Sequence, residues 1–182
     1  MQHSLPLQPG NDSVESTEWL FAHYVIARKI ANLERTALLK AVSEHFNTKL
    51  YTPNPTPELS QIHNMGSVDY QRQMPYVFKN SAINLNISLR SIRSGIPLRC
   101  FDIMGCGGFL LSNYQGDFYE HFVPGEDLVL FESQEDFLNK CDYYLKHDNE
   151  RRQIAANGYG KVKEFHTYEV RLKEIFKVVF SK

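Results

Sequence analysis

Short apolar segments that alternate with helical stretches constrain this chain more than any other feature. Five of them stand out: TKLYT at residues 48–52, a stretch around Ile62, AINLNIS at 82–88, GGFLLSN at 107–113 and DLVLFE at 127–132. Each is bounded by glycine, proline or polar residues, as strands are. Strands that are separated by helices pair in parallel, because the chain must cross over before it adds the next strand. The sequence therefore predicts an α/β fold with a parallel sheet and helices on both faces.

The helices are predicted from apolar spacing and from capping residues. Residues 16–46 contain neither glycine nor proline and predict one long helix, or two in series with a join near Asn32. Further helices are predicted over residues 71–79 and 97–105. Three more helices are predicted after residue 132. The first begins at Ser133, which stands in capping-box spacing with Asp136. The second is capped by Asp148 or Asn149 and ends at Gly158, and the third is capped by Thr167. The last of these helices has one apolar face, formed by Leu172, Ile175, Phe176 and Val179.

Composition narrows the class of protein. The formal net charge of −1 argues against a protein that binds nucleic acid or an anionic membrane, since such proteins carry a basic excess. Residues 1–13 are polar and are predicted to form a flexible tail without the apolar core of a signal peptide. No apolar run approaches the roughly 20 residues of a membrane span. Three cysteines without a CxxC pair are typical of buried thiols in a reducing compartment, and the cytoplasm is the expected location.

The stretch SGIPLRCFDIMGCGG, residues 94–108, is the strongest candidate for a ligand site. It follows the AINLNIS segment, and α/β sheets place their ligands beyond the carboxyl ends of the strands. Gly95 would let a ligand approach the backbone, and Pro97 suits the first position of a helix. The free N–H groups of that first turn attract phosphate. Three guanidinium groups whose planar shape suits phosphate oxygens lie nearby in sequence, on Arg90, Arg93 and Arg99.

Asp102 follows one helical turn later in an apolar run. A carboxylate in such surroundings needs hydrogen-bond donors, and the two hydroxyls of a ribose would supply them. An alternative is that Arg99 and Asp102, spaced i,i+3, pair with each other on the helix surface. Asn84 and Asn86 also have two interpretations, because the polar face of their strand could meet a ligand or could bond to neighbouring loop backbone.

The glycines and histidines do not indicate a cofactor. A dinucleotide-binding fingerprint has its glycines between a strand and a helix, whereas Gly105 and Gly107 follow a predicted helix and precede a strand. Helix C-capping explains them better, and Gly158 and Gly160 are interpreted as caps as well. An oxidoreductase with a classical NAD site is therefore disfavoured. No metal is expected, because four histidines lack the spacing of metal ligands, namely His63, His121, His147 and His166.

Two long segments, residues 77–131 and 143–172, resemble the C-terminal domain of spore-coat-type glycosyltransferase-like proteins, which belong among the GT-B glycosyltransferases. The resemblance extends over about residues 18–180. It implies that residues 14–182 form a Rossmann-like domain, the C-terminal half of a GT-B fold, that binds a nucleotide-diphosphate sugar. It also implies an N-terminal acceptor-binding domain of the same enzyme across a cleft. No cofactor is implied, because the nucleotide sugar is a substrate.

The resemblance also assigns roles to individual residues. Related retaining enzymes use two glutamates eight positions apart. The second, which binds the ribose, corresponds to Asp102. The first corresponds to Ser94, where this chain departs from the pattern. Arg99 and Arg93 are candidates for the pyrophosphate, with Arg35 as a further one, and the loop at residues 68–70 would hold the base. No catalytic residue is assigned. Together with the candidates from the residues themselves, the expected donor-binding set is Asp102, Arg99, Ser94, Gly95, Ile96, Pro97, Arg93, Arg90, Asn86 and Tyr70.

The predicted function is donor binding for glycosyl transfer to an unknown acceptor. The N-terminal domain has no counterpart before Ser16, so this chain is expected to bind a donor without turning over alone. Its expected partners are the nucleotide-diphosphate sugar and the acceptor-binding domain, with no nucleic acid and no membrane span. The alternative is a non-catalytic, degenerate GT-B module that serves protein assembly in a spore or envelope layer.

Overall fold

A computed structural model describes residues 15–89, 92 and 94–181 of the chain. The strands are β1 Lys49–Leu50, β2 His63–Asn64, β3 Asn84–Asn86, β4 Leu110–Asn113 and β5 Val129–Phe131. The helices are α1 Thr17–Leu20, α2 Ala27–His45, α3 Met74–Asn80, α4 Leu98–Gly105, α5 Phe118–His121, α6 Gln134–Lys146, α7 Asp148–Phe165 and α8 Tyr168–Phe180, with a π-helical segment, Phe21–Ile26, between α1 and α2. The predicted tail at residues 1–13 and the candidates Arg90 and Arg93 lie outside the described residues.

Every strand pair is parallel, which confirms the predicted α/β class. β4 lies between β3 and β5, with Leu85 opposite Leu111 and Leu111 opposite Val129. β1 and β2 form a separate two-stranded sheet, in which Lys49 lies opposite His63. The hydrogen-bonded strands are shorter than the apolar segments that predicted them, and they form two sheets instead of one.

The core lies on both faces of the three-stranded sheet. One layer joins Leu111, Val129 and Phe131 to residues of α2, α6 and α7, including Phe137 and Ile154. The opposite layer is formed by the neighbouring strand positions and by α4, and its fully buried members include Leu110, Leu128, Cys100, Ile103 and Met104. Successive strand residues point to opposite faces, so apolar strands of this kind need cover on both sides. The helices supply that cover.

The helix ends test the capping predictions. The Ser133 hydroxyl accepts from the Asp136 N–H, and the Thr167 hydroxyl accepts from the Val170 N–H, so both predicted N-caps are confirmed. At the end of α4, Gly107 has a φ of +76°, and its N–H donates to the Met104 carbonyl at 2.8 Å. This geometry confirms that the GCGG glycines cap a helix.

Two predictions for the ends of α7 were wrong. Its N-cap is His147, so neither Asp148 nor Asn149 caps it. Gly158 and Gly160 do not cap a helix, because α7 continues through both to Phe165. A Cβ added at Gly158 would lie 2.4 Å from the Asp127 carbonyl oxygen and 3.3 Å from the Met104 sulfur. The glycine therefore allows close packing against α4 and the loop before β5. Of the two alternatives for residues 16–46, the single long helix is the one observed, because α1, the π-helical segment and α2 follow one another without a break near Asn32.

The apolar face of α8 is exposed. Ile175, Phe176 and Val179 are 54%, 53% and 63% exposed, and no residue of α8 is buried. Within the described residues, no helix combines the length and the apolarity that crossing a bilayer requires.

Candidate functional site

The carboxyl ends of β3, β4 and β5 meet at one edge of the larger sheet and frame a cleft. Its volume is about 680 Å³. The loops that follow the three strands line it together with α2, and their polar contributions include Ser88, Asn113, Gln115 and Glu132. This edge is where ligands bind in parallel α/β sheets. Among the described residues, however, none of the predicted donor-binding candidates lines the cleft itself.

A network of side-chain amides supports the rim of this cleft. The Asn86 side-chain amide donates to the hydroxyls of Ser88 and Ser112, both at 3.0 Å. The Asn113 side chain accepts from the Ser88 N–H at 2.7 Å and donates to the Ser88 carbonyl at 3.3 Å. Asn86 is 3% exposed, so this candidate residue lies beneath the surface and joins the loop after β3 to β4.

Asn84 holds the opposite end of β3. Its amide donates to the backbone carbonyls of Phe78 at 2.9 Å and Phe109 at 3.3 Å. Of its two interpretations, bonding to neighbouring backbone is therefore the one observed for Asn84.

The loop that enters α4 is anchored through Gly95. The Gly95 N–H donates to the Asp117 carboxylate at 2.5 Å, and its carbonyl accepts from the Gln115 side-chain amide. Its φ of +91° is a conformation that favours glycine. Ser94 and Gly95 are exposed, whereas Ile96 and Pro97 are partly buried. The sequence predicted Pro97 as the first residue of this helix, whereas it lies one position before α4 begins.

Three further candidates come together beside α4. The Tyr70 hydroxyl donates to the Asp102 carboxylate at 2.6 Å, and the Tyr70 ring meets Phe78 edge-on. Burial raises the pKa of Tyr70 to about 12, and the hydrogen bond to Asp102 adds to this shift, while the nearby Arg99 guanidinium opposes it. Asp102 thus finds a phenol as a donor, which neither sequence interpretation of this carboxylate included.

Arg35 reaches the sheet edge from α2. Its guanidinium donates to the Ile87 carbonyl at 3.1 Å, directly after β3. Arg35, which the family resemblance suggested as a pyrophosphate ligand, therefore lies at the carboxyl end of β3.

Sequence reasoning gave no role to Gln115 or Asp117. Both follow β4 directly, and the general rule that ligands bind at carboxyl strand ends could have singled them out. Their contacts with Gly95 could not be read from the sequence, because the two loops are joined only by the fold. Among the described residues, no group of three His, Cys, Asp or Glu side chains is placed to hold a metal ion.

Comparisons with known proteins agree with this architecture. A family model described as "Glycosyl transferase-like" matches residues 28–177. Sucrose-phosphate synthase from Thermosynechococcus elongatus superposes with a TM-score of 0.64 at 14% identity, over 81% of this chain and 42% of that one. The C-terminal domain of a glycosyl transferase group 1 family protein (LpcC) from Francisella tularensis gives 0.57 at 18% identity, over 79% and 82%.

These structural similarities concern the fold, which is that of GT-B glycosyltransferase C-terminal domains. The match covers less than half the length of the sucrose-phosphate synthase. A search of curated protein sequences returned no match.

Proposed function

The chain belongs to the glycosyl transferase-like family, and from this premise we propose that it binds a nucleotide-diphosphate sugar as the donor side of a glycosyl transfer. The spore-coat type of glycosyltransferase, whose C-terminal domain the sequence resembles over about residues 18–180, is part of the same proposal. The observation that carries it is the contact between Tyr70 and Asp102 beside Arg99.

This cluster offers what a nucleoside diphosphate needs. A carboxylate has about four acceptor positions, and the Tyr70 hydroxyl uses one of those on Asp102, so others can accept from ribose hydroxyls. The Tyr70 ring is 50% exposed and offers an aromatic surface against which a base can stack. Arg99 is exposed, and its planar guanidinium suits a diphosphate.

The chemical contribution of such a site is electrostatic. In a glycosyl transfer the leaving diphosphate gains negative charge as its bond to the sugar breaks. A guanidinium fixed beside that group stabilises the developing charge without reorganising. We propose that the acceptor-binding groups come from a second, N-terminal domain of the same enzyme. Consistent with this, the sucrose-phosphate synthase continues well beyond the part that this chain matches.

Calorimetric titration of the full chain with UDP, GDP, dTDP, ADP and CMP tests the proposal. We expect saturable binding of at least one diphosphate. Asp102→Asn should weaken that binding about tenfold, because hydrogen bonds to a charged carboxylate are roughly twice as strong as those to a neutral group.

Asp142→Asn provides the matched control. Asp142 pairs with Lys146 at 2.7 Å on α6, and both side chains are more than half exposed. Its loss should leave nucleotide affinity unchanged. If none of the five nucleotides binds, the proposal is wrong. If the Asp102 variant binds as tightly as the unaltered chain, the assignment of Asp102 to the ribose is wrong.

A further inference from the structure

Gln115 and Asp117 fix the loop that leads into α4 to the loop after β4. Both backbone groups of Gly95 are used, since its N–H donates to Asp117 at 2.5 Å and its carbonyl accepts from the Gln115 amide. Among the residues that the structure describes, no atom lies within 4 Å of a Cβ placed on Gly95. The two loops are therefore held together while open space remains beside Gly95.

Gln115 also has an acceptor without a donor. The residue is 6% exposed, and within the described part of the chain its buried side-chain oxygen accepts no hydrogen bond. An unpaired buried oxygen is unfavourable, and buried polar atoms in native proteins are nearly always paired. Gln115 lies in the wall of the 680 Å³ cleft. This oxygen has almost no accessible surface, so the Gln115 side chain has to turn toward the cleft before a ligand there can supply the missing donor.

The charge of Asp117 determines which part of a nucleotide-diphosphate sugar fits beside Gly95. A phosphate at the Gly95 N–H would lie against the Asp117 carboxylate, and two like charges at that distance repel. Sugar hydroxyls, by contrast, donate to carboxylate and amide oxygens. The oxygen acceptors of Asn113 and Glu132, which line the cleft together with Gln115, suit the same kind of ligand.

We propose that Asp117 and Gln115 bind the glycosyl group of the donor, with sugar hydroxyls donating to the Asp117 carboxylate and to the Gln115 side-chain oxygen. This inference rests on the proposed donor-binding function. It also defines the orientation of the bound nucleotide sugar, with the glycosyl group at the loop after β4 and the nucleoside at Tyr70 and Asp102. Neither residue takes part in bond making; both bind and orient.

The test compares each nucleoside diphosphate that binds with its glucose, galactose and mannose esters. At least one ester should bind the unaltered chain more tightly than the diphosphate alone. Asp117→Asn still accepts from the Gly95 N–H but lacks the charge. It should therefore weaken binding of that ester about tenfold and leave the diphosphate within about twofold. Asp117→Glu restores the charge and should recover part of the loss, and Asp117→Ser serves as a second neutral variant.

Asp142→Asn is again the control, and thermal unfolding of each variant shows whether it is folded. An equal loss for ester and diphosphate would mean that Asp117 only supports the loop, and tighter diphosphate binding would mean that it competes with phosphate. Either result overturns the inference, as does an unaltered chain that prefers none of the esters. In those cases donor-nucleotide binding stands, whereas failure of all diphosphates to bind overturns the donor function as well.

Discussion

At the scale of single residues, the backbone packs closely where α4 passes into β4. The Gly108 backbone runs against the Phe78 carbonyl and the Asn84 amide. The Asn84 side-chain amide in turn donates to the backbone carbonyls of Phe78 and Phe109. The absence of a side chain at Gly108 therefore lets α3, α4 and the start of the larger sheet approach one another.

Gly108→Ala should lower the free energy of unfolding by about 1–3 kcal/mol, because overpacking a filled interior displaces its surroundings. The new Cβ would lie 2.6 Å from the Phe78 carbonyl oxygen and 2.7 Å from the Asn84 side-chain nitrogen. Urea unfolding measures the change. Gly160→Ala is the control, since Gly160 lies within α7 and, apart from the helix's own backbone, no described atom lies within 4 Å of a new Cβ. It should stabilise the protein by about 0.5–1 kcal/mol through helix propensity, and a loss as large as that at Gly108 would contradict the argument.

At the scale of elements, α8 differs from the helices that cover the sheet. It is capped by Thr167 and carries i,i+3 and i,i+4 ion pairs, yet none of its residues is buried. α6 and α7, in contrast, contribute Phe137 and Ile154 to the core. The spacing of apolar residues thus predicted which face of α8 is apolar, but it did not determine whether another element covers that face.

Removal of residues 168–182 should change the free energy of unfolding by less than about 1 kcal/mol, because little apolar area leaves the folded domain. Phe137→Ala, at a residue that is 1% exposed, should cost about 3–5 kcal/mol in the same urea measurements. A loss after truncation comparable with that of Phe137→Ala would show that α8 packs against the domain in solution.

At the scale of the whole molecule, His166 links the C-terminal helix to the rest of the fold. Its ring stacks on Phe122 with centroids 5.0 Å apart and lies 5.2 Å from Phe101. Its Nδ1 lies 2.6 Å from a guanidinium nitrogen of Arg171 and accepts its hydrogen bond in the neutral form. Burial, together with the positive charge of Arg171, lowers the pKa of His166 from 6.5 to about 4.

This shift makes stability depend on pH. Between pH 6.5 and 4 the unfolded chain binds a proton at His166 that the folded chain does not, so stability falls as the pH falls. Because solvent screens a partly exposed ring, we expect this residue to contribute about 1 kcal/mol over that window. Urea unfolding at pH 7 and pH 4.5 should show a smaller difference for His166→Gln than for the unaltered chain. The control, His147→Gln, should retain the full difference, and an equal difference in His166→Gln would contradict the assignment.

Much of the fold was predictable because its determinants are local. The apolar segments and the stretches between them gave the order of strands and helices, and parallel pairing followed from that order. Ser133 and Thr167 were identifiable as caps because each bonds to an N–H only three positions later. The GCGG turn was interpretable for the same reason. The sheet edge at which the cleft opens was also predictable, since ligands bind at the carboxyl edge of a parallel sheet.

By itself, then, the sequence determined the α/β class, the principal helices and strands, and the edge at which a ligand is expected. The tertiary structure decided what depends on contacts between distant segments. It placed Gly158 inside α7 against α4, divided the strands into two sheets, and joined Tyr70 to Asp102. It also brought Gln115 and Asp117 to Gly95. Periodicity and capping report on neighbours within about one helical turn, whereas these pairings arise only when separate loops and helices pack together.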